Sequence, residues 1–224
     1  MKKLILSLIT CLFFQFDSAA QNNEPHPHLS GGLNLGYSGG FGIQGNLSIS
    51  DFALDFPLSM RFGLGYTMVD PGNPVEARII FINDATNGVP EESGGFWDFK
   101  MDFMYPVKIL SLKRAFLYAG PRYSLFSGDF KFIDGNEFFI ISSDQWGIGF
   151  GGEANFLLSQ KFDLVVTTGF DYYFLGTIEG HDTAYQPDGE IISGREDYTY
   201  EDADNAINQP KFVIKAMMGF NYRF

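Results

Sequence analysis

KFVIKAMMGFNYRF, Lys211 to Phe224, is the stretch on which the fold turns. Phe212, Ile214, Ala216, Met218, Phe220, Tyr222 and Phe224 occupy every second position, with Val213, Lys215, Met217, Gly219, Asn221 and Arg223 between them. Side chains alternate between the two faces of a strand, so this is one strand with an apolar face and a mostly polar or small one. Its fourteen residues exceed the roughly 9–11 that a tilted strand needs to cross a bilayer.

The same alternation recurs upstream and predicts seven more strands. They are Leu29–Tyr37, Phe41–Ile49, Leu58–Met68, Trp97–Tyr105, about Phe116–Ser127, Trp146–Phe156 and Phe162–Phe174. Ser38-Gly39-Gly40 serves either as a hairpin between the first two or as the middle of one long strand. Short connections (Asp51–Pro57, Leu110–Arg114, Leu158–Lys161) alternate with long ones (Val69–Gly95, Gly128–Asp144, Thr177–Gln209). An even-stranded membrane barrel has short periplasmic turns and long outer loops in this way. Aromatic residues then fall at two depths. Tyr66, Trp97, Trp146, Phe174 and Phe212 lie near the outer rim, and Tyr105, Phe156, Phe162, Tyr222 and Phe224 near the inner.

A soluble eight-stranded barrel of the lipocalin type would share this periodicity with its faces exchanged. The N-terminus favours the membrane. Lys2 and Lys3 precede an apolar run, Leu4–Phe16, and Ser18-Ala19-Ala20 offers a cleavage site, so residues 1–20 read as a signal peptide. Leu8-Ile9-Thr10-Cys11 is only a loose lipobox, because Thr10 fits poorly. Residues 21–28 form a polar periplasmic lead-in and 29–224 the barrel. Cleavage removes Cys11, the one cysteine, which excludes disulfides, thiolate metal sites and a Cys nucleophile. Loss of Lys2, Lys3 and Asp17 takes the balance from 15 basic and 27 acidic residues to 13 and 26. Nucleic acid, which needs a basic footprint, is excluded.

Gly219-x-x-Tyr222-x-Phe224 resembles the C-terminal signal by which the barrel assembly machinery of Gram-negative envelopes recognises its substrates. The strand pattern across residues 29–224 resembles the OmpA, OmpX and OmpW group of small outer-membrane proteins. The resemblance implies an all-β, eight-stranded, antiparallel, up-and-down transmembrane barrel in contact with outer-membrane lipid and lipopolysaccharide.

The faces turned inward carry Arg61, Lys100, Arg122, Lys215 and Arg223 against Asp98, Asp102, Glu153, Asp163 and Asp171. Lone buried charges are costly and eight strands enclose little space, so an ion-paired plug is expected, with Glu153 as partner of Arg122. The other reading of these charges is a narrow path for small solutes or protons. In the outer loops, Asn73-Pro74-Val75-Glu76 predicts a helix from Pro74 to about Asp84. Its apolar Ile79–Ile82 either packs on the barrel mouth or presents a surface to a partner or to lipid. Thr199-Tyr200-Glu201-Asp202 begins a second short helix. Thr177–Gln209 carries nine carboxylates against Arg195. It is either a solvated acidic loop or a site for Ca²⁺ or Mg²⁺, with Glu201, Asp202 and Asp204 as the candidate ligands. His181 beside Asp182 has no nucleophile near it in sequence. The expected function is that of a non-enzymatic envelope protein with acidic outer loops, serving envelope integrity or an unidentified surface partner. A narrow channel and an outer-membrane lipid-modifying enzyme are the alternatives.

Overall fold

The computed structural model describes residues 27–224 apart from 54–55, 86, 110–111, 136, 193–194 and 196. The leader and most of the lead-in lie outside the described residues. Seven strands come first: β1 (His28–Ser38), β2 (Phe41–Ser50), β3 (Ser59–Val69), β4 (Val89–Ile109), β5 (Leu112–Ile133), β6 (Glu137–Leu157) and β7 (Phe162–Tyr173). Three two-residue strands follow, β8 (Ile178–Glu179), β9 (Ala184–Tyr185) and β10 (Ile191–Ile192), and β11 (Phe212–Arg223) ends the chain. Helix α1 (Pro74–Phe81) lies between β3 and β4, and α2 (Tyr200–Ala206) between β10 and β11.

Strands β1 to β7 pair antiparallel in sequence order, and β11 closes the ring between β7 and β1. Its register runs from Ser30↔Arg223 to Ser38↔Lys215 on one side and from Phe212↔Tyr172 to Tyr222↔Phe162 on the other. The opening stretch is thus the closing stave of an eight-stranded antiparallel barrel, in which no stave has a free edge. Ser38–Gly40 is a hairpin: Tyr37 pairs with Phe41, and Gly39 turns at φ 75°, a conformation that suits glycine.

The faces fall as the alternation predicts. Leu33, Phe62, Phe99, Phe150 and Phe220 are about half exposed on the outer wall, whereas Asn34, Arg61, Lys100, Glu153 and Lys215 are buried within. In water such a continuous apolar wall would far exceed the patches that soluble proteins tolerate; in lipid it is the matching surface. The rims carry the expected aromatic pairs: Tyr66 lies 5.0 Å from Trp97, and Phe162 5.0 Å from Tyr222.

Three strands differ from expectation. β4, β5 and β6 have 21, 22 and 21 residues, against 10 to 12 for the other staves. At about 3.3 Å per residue the surplus makes a three-stranded sheet standing roughly 30 Å beyond the belt. Most of the predicted outer loop Gly128–Asp144, and the end of Val69–Gly95 from Val89 on, is therefore strand. Within this sheet the faces exchange. Phe126, Phe130, Phe132, Phe139 and Ile141 continue the inward face and are buried, while Asp129 and Lys131 lie on the outward one.

Candidate functional site

The barrel lumen and the cap over its outer mouth hold the residues that the sequence singled out. In the lumen, Arg61 donates to Asp102 at 2.7 Å and also engages Glu153. Arg122 reaches Asp102 at 2.6 Å and Asp171 at 2.8 Å, and Lys215 pairs with the second oxygen of Asp171. Lys100 pairs with Asp98 at 2.7 Å and donates to Gln44. These four cations and four anions are all more than nine-tenths buried. A ladder Glu153–Arg61–Asp102–Arg122–Asp171–Lys215 follows, each arginine bridging two carboxylates with its planar fork. The expected Arg122–Glu153 pair is not made. The two lie on neighbouring strands, but Arg122 turns to its other neighbour, β4, and past β6 to β7, leaving Glu153 to Arg61 and to the Thr167 hydroxyl at 3.3 Å.

Small residues make room for the ladder. A Cβ on Gly149 would run into the Arg122 guanidinium and the Asp171 carboxylate, and one on Gly151 into the Tyr118 hydroxyl. Tyr118 lies under the Arg61 guanidinium, 4.7 Å from centroid to carbon. At the inner end Asp163 takes Arg223 at 3.3 Å and Arg114 at 3.4 Å. The cavity beside Arg61 and Glu153 measures about 10 Å³, room for about one water.

The outer loops fold into a cap with an apolar core of its own. Ala77, Ile80 and Phe81 of α1, Ala203 and Ala206 of α2, and Phe130, Phe139 and Ile141 of the tall sheet meet there. The core continues down to Phe96, Tyr173 and Val213, which project inward from the barrel wall and seal its mouth. Helix α1 thus packs inward, and it ends at Phe81 rather than near Asp84. Its start is as predicted, with the Asn73 side chain accepting from the Val75 and Glu76 amides. Its last carbonyls are held from outside, Ile79 by Arg195 at 2.7 Å and Ile80 by the Tyr185 hydroxyl at 3.0 Å.

Arg78 is a cap residue that the sequence reading did not single out. It is buried, ion-paired with Glu137, bonded to the Asn87 carbonyl at 2.7 Å, and set 4.4 Å from the Phe132 ring. A cation in the middle of an apolar run, Ala77-Arg78-Ile79-Ile80-Phe81, was the available signal.

The candidate metal ligands are not brought together. Asp202 accepts from the Thr199 hydroxyl at 2.7 Å and from its amide at 2.8 Å in a capping box, which holds its carboxyl below the ordinary range. Asp204 accepts from Gln209 at 2.7 Å and Lys211 at 2.8 Å, and Glu201 is exposed. Among the described residues no cluster of three or more His, Cys, Asp or Glu is placed to hold a metal ion. Asp202 caps a helix and Asp204 pairs with Lys211 instead. His181 pairs with Asp182 at 2.8 Å on the open surface. Gly219, Tyr222 and Phe224 lie in or just after β11, where a Cβ on Gly219 would strike the Leu33 carbonyl of the neighbouring stave.

Comparison with protein-family models and with curated proteins finds no match. Among solved structures, a major outer membrane protein from Thermus thermophilus is similar at a TM-score of 0.69 and 26% identity, over 88% of this chain and 99% of that one. Acinetobacter baumannii CarO matches at a TM-score of 0.46 and 12% identity, over 91% of this chain and 100% of that one. By its closed ring of eight staves, its apolar outer wall and its likeness to the Thermus protein, this chain has the fold of the small outer-membrane β-barrel proteins.

Proposed function

We propose that the chain is a non-enzymatic protein of the Gram-negative outer membrane, inserted after loss of residues 1–20, whose barrel is a closed anchor for a folded, acidic cap. The observation that carries this reading is the double closure of the lumen. The ion-pair ladder runs up its length, and Phe96, Tyr173 and Val213 seal it above. With no open path, work is left to the outer surface, as envelope integrity or contact with a partner outside the cell. The wall contacts lipid and lipopolysaccharide, and Gly219, Tyr222 and Phe224 serve as the signal to the barrel assembly machinery. An enzyme reading has little support, since His181 and its neighbour are open to solvent and away from the buried groups. Planar-bilayer recording tests the proposal. Protein that is shown by its heat-dependent gel mobility to be folded should give no defined conductance steps. Stable, large single-channel steps would replace this reading with transport.

A further inference from the structure

The two ends of the barrel carry opposite charge. Beyond the outer rim carboxylates prevail, as in Thr177–Gln209 with nine against Arg195. At the other end Lys108 lies at the close of β4, Arg114 at the start of β5, Lys161 in the turn before β7 and Arg223 at the end of β11. With β6 between β5 and β7, these strands are consecutive around the ring, so the four cations form an arc along one side of the rim. Asp51 follows β2, on the other side of the ring.

Little negative charge answers the arc. Asp163 is buried, and its one carboxylate is shared by Arg223 at 3.3 Å and Arg114 at 3.4 Å. The two guanidinium groups stay 31% and 43% exposed, so the trio keeps a net positive charge toward the rim. Lys108 and Lys161 are exposed and make no ion pair among the described residues. The terminal carboxylate of Phe224 lies at the β1 edge, where the Phe224 amide donates to the Leu29 carbonyl at 3.1 Å. Lys161 is also held in place. The Ser159 hydroxyl accepts from the Lys161 and Phe162 amides at 3.4 and 3.2 Å, and the Lys161 carbonyl accepts from the Arg223 amide at 2.9 Å. Its ammonium donates to the Tyr222 hydroxyl at 3.3 Å and stands 5.5 Å from that ring. Tyr222, 5.0 Å from Phe162, belongs to the inner aromatic girdle, so this charge sits at headgroup depth. Like charges gathered on one rim repel one another unless an anion lies among them.

We propose that this arc binds anionic phospholipid of the periplasmic leaflet, with Lys161 donating to a headgroup phosphate, Arg114 and Arg223 holding positive potential behind it, and Lys108 engaging a second headgroup at the far end of the arc. The acyl chains then run along the exposed Phe156 and Phe162 of the wall. Clustered Lys and Arg beside a membrane attract anionic headgroups in this way. The acidic outer end repels the same headgroups, so the preference belongs to one leaflet. The inference rests on the membrane orientation proposed above, with the short turns on the periplasmic side.

The folded protein is reconstituted in phosphatidylcholine membranes, and heat-dependent gel mobility confirms insertion. Electron spin resonance of trace spin-labelled phosphatidylglycerol and phosphatidylcholine then gives the relative association of the two lipids with the barrel. Phosphatidylglycerol should be preferred about fivefold or more, and salt at about 1 M, which cuts the screening length to about 3 Å, should bring the preference close to one. Replacing both exposed lysines, Lys161→Gln with Lys108→Gln, should remove most of the preference, whereas Lys161→Arg with Lys108→Arg should keep it. Lys131→Gln, at an exposed cation of the opposite end, should leave it unchanged. Folded insertion with no preference, a preference that survives the double Gln variant, or one lost equally in Lys131→Gln overturns the lipid site and leaves the membrane reading standing. If the double variant fails to fold, Lys161→Gln alone decides. Wild-type protein that does not insert at all overturns the membrane reading, and the lipid site with it.

Discussion

β4, β5 and β6 run through two media, and their faces exchange on the way. In the belt Phe99, Leu117 and Phe150 point out and Lys100, Arg122 and Glu153 point in; in the cap Phe130, Phe132 and Phe139 point in. The apolar side follows the solvent rather than the strand. Lipid offers no hydrophobic drive toward the barrel interior, so the lumen is held by ion pairs and hydrogen bonds. Water surrounds the cap, so burial of apolar area, at about 25 cal/mol per Å², assembles it. One chain is therefore stabilised by two different kinds of interaction, and each kind should fail in its own way.

The largest effects come from breaking each region in its own terms. Arg122→Ala leaves the three buried carboxylates of the ladder, Glu153, Asp102 and Asp171, to Arg61 and Lys215 alone and should cost about 3–5 kcal/mol, read as a lower denaturant midpoint for the barrel. Phe130→Ala should cost a similar amount, about 3–5 kcal/mol, but in the cap. Its readout is protease cleavage of the outer loops while heat-dependent gel mobility stays normal. If Phe130→Ala lowers barrel and cap stability together, the two regions are one cooperative unit and the contrast fails.

A matched pair on a single face sharpens the comparison. Phe150 and Phe138 both point outward from β6, at 48% and 60% exposure. Phe150→Arg places a charge in lipid and should cost about 2–4 kcal/mol, whereas Phe138→Arg, in water, should stay within about 0.5 kcal/mol. Reversible unfolding in lipid vesicles measures both, and equal costs would place the tall sheet in the membrane as well.

Smaller effects belong to the ends of the cap helices. Thr199→Ala removes the N-cap of α2 and should cost about 1 kcal/mol, seen as faster proteolysis around residues 199–207. Acid should loosen the same place more weakly. The Thr199 hydroxyl and amide hold the Asp202 carboxyl low, and hydrogen bonding to Arg195 does the same for Asp84. A depressed folded value means that each contribution is present above the unfolded carboxyl value and lost as pH falls through the folded one. Proteolysis of the cap should thus rise below the ordinary carboxylate range, and Asp202→Asn should flatten that rise.

The strands of the belt were legible because alternation is local: each residue's medium writes itself into every second position. The lumen charges, both helix starts and the short-turn, long-loop rhythm were legible for the same reason. The tall sheet was not. In β6 Phe138, Phe139, Ile140 and Ile141 are apolar on both faces and hide the period, and in β5 the apolar phase passes from Leu125 to Phe126 where lipid gives way to water. That phase slip was the readable sign of the exchange.

By itself, then, the sequence determined that eight staves form, which of their faces meets lipid, and which charges go inside. Only the tertiary structure decided who pairs with whom. Arg122 joins Asp102 and Asp171 rather than Glu153 because strand stagger and barrel curvature, which alternation does not encode, set the distances between staves. The same is true of the acidic loop. Asp202 and Asp204 became a helix cap and a lysine partner, not a metal site, because the fold brought Thr199, Gln209 and Lys211 to them before it brought them to one another.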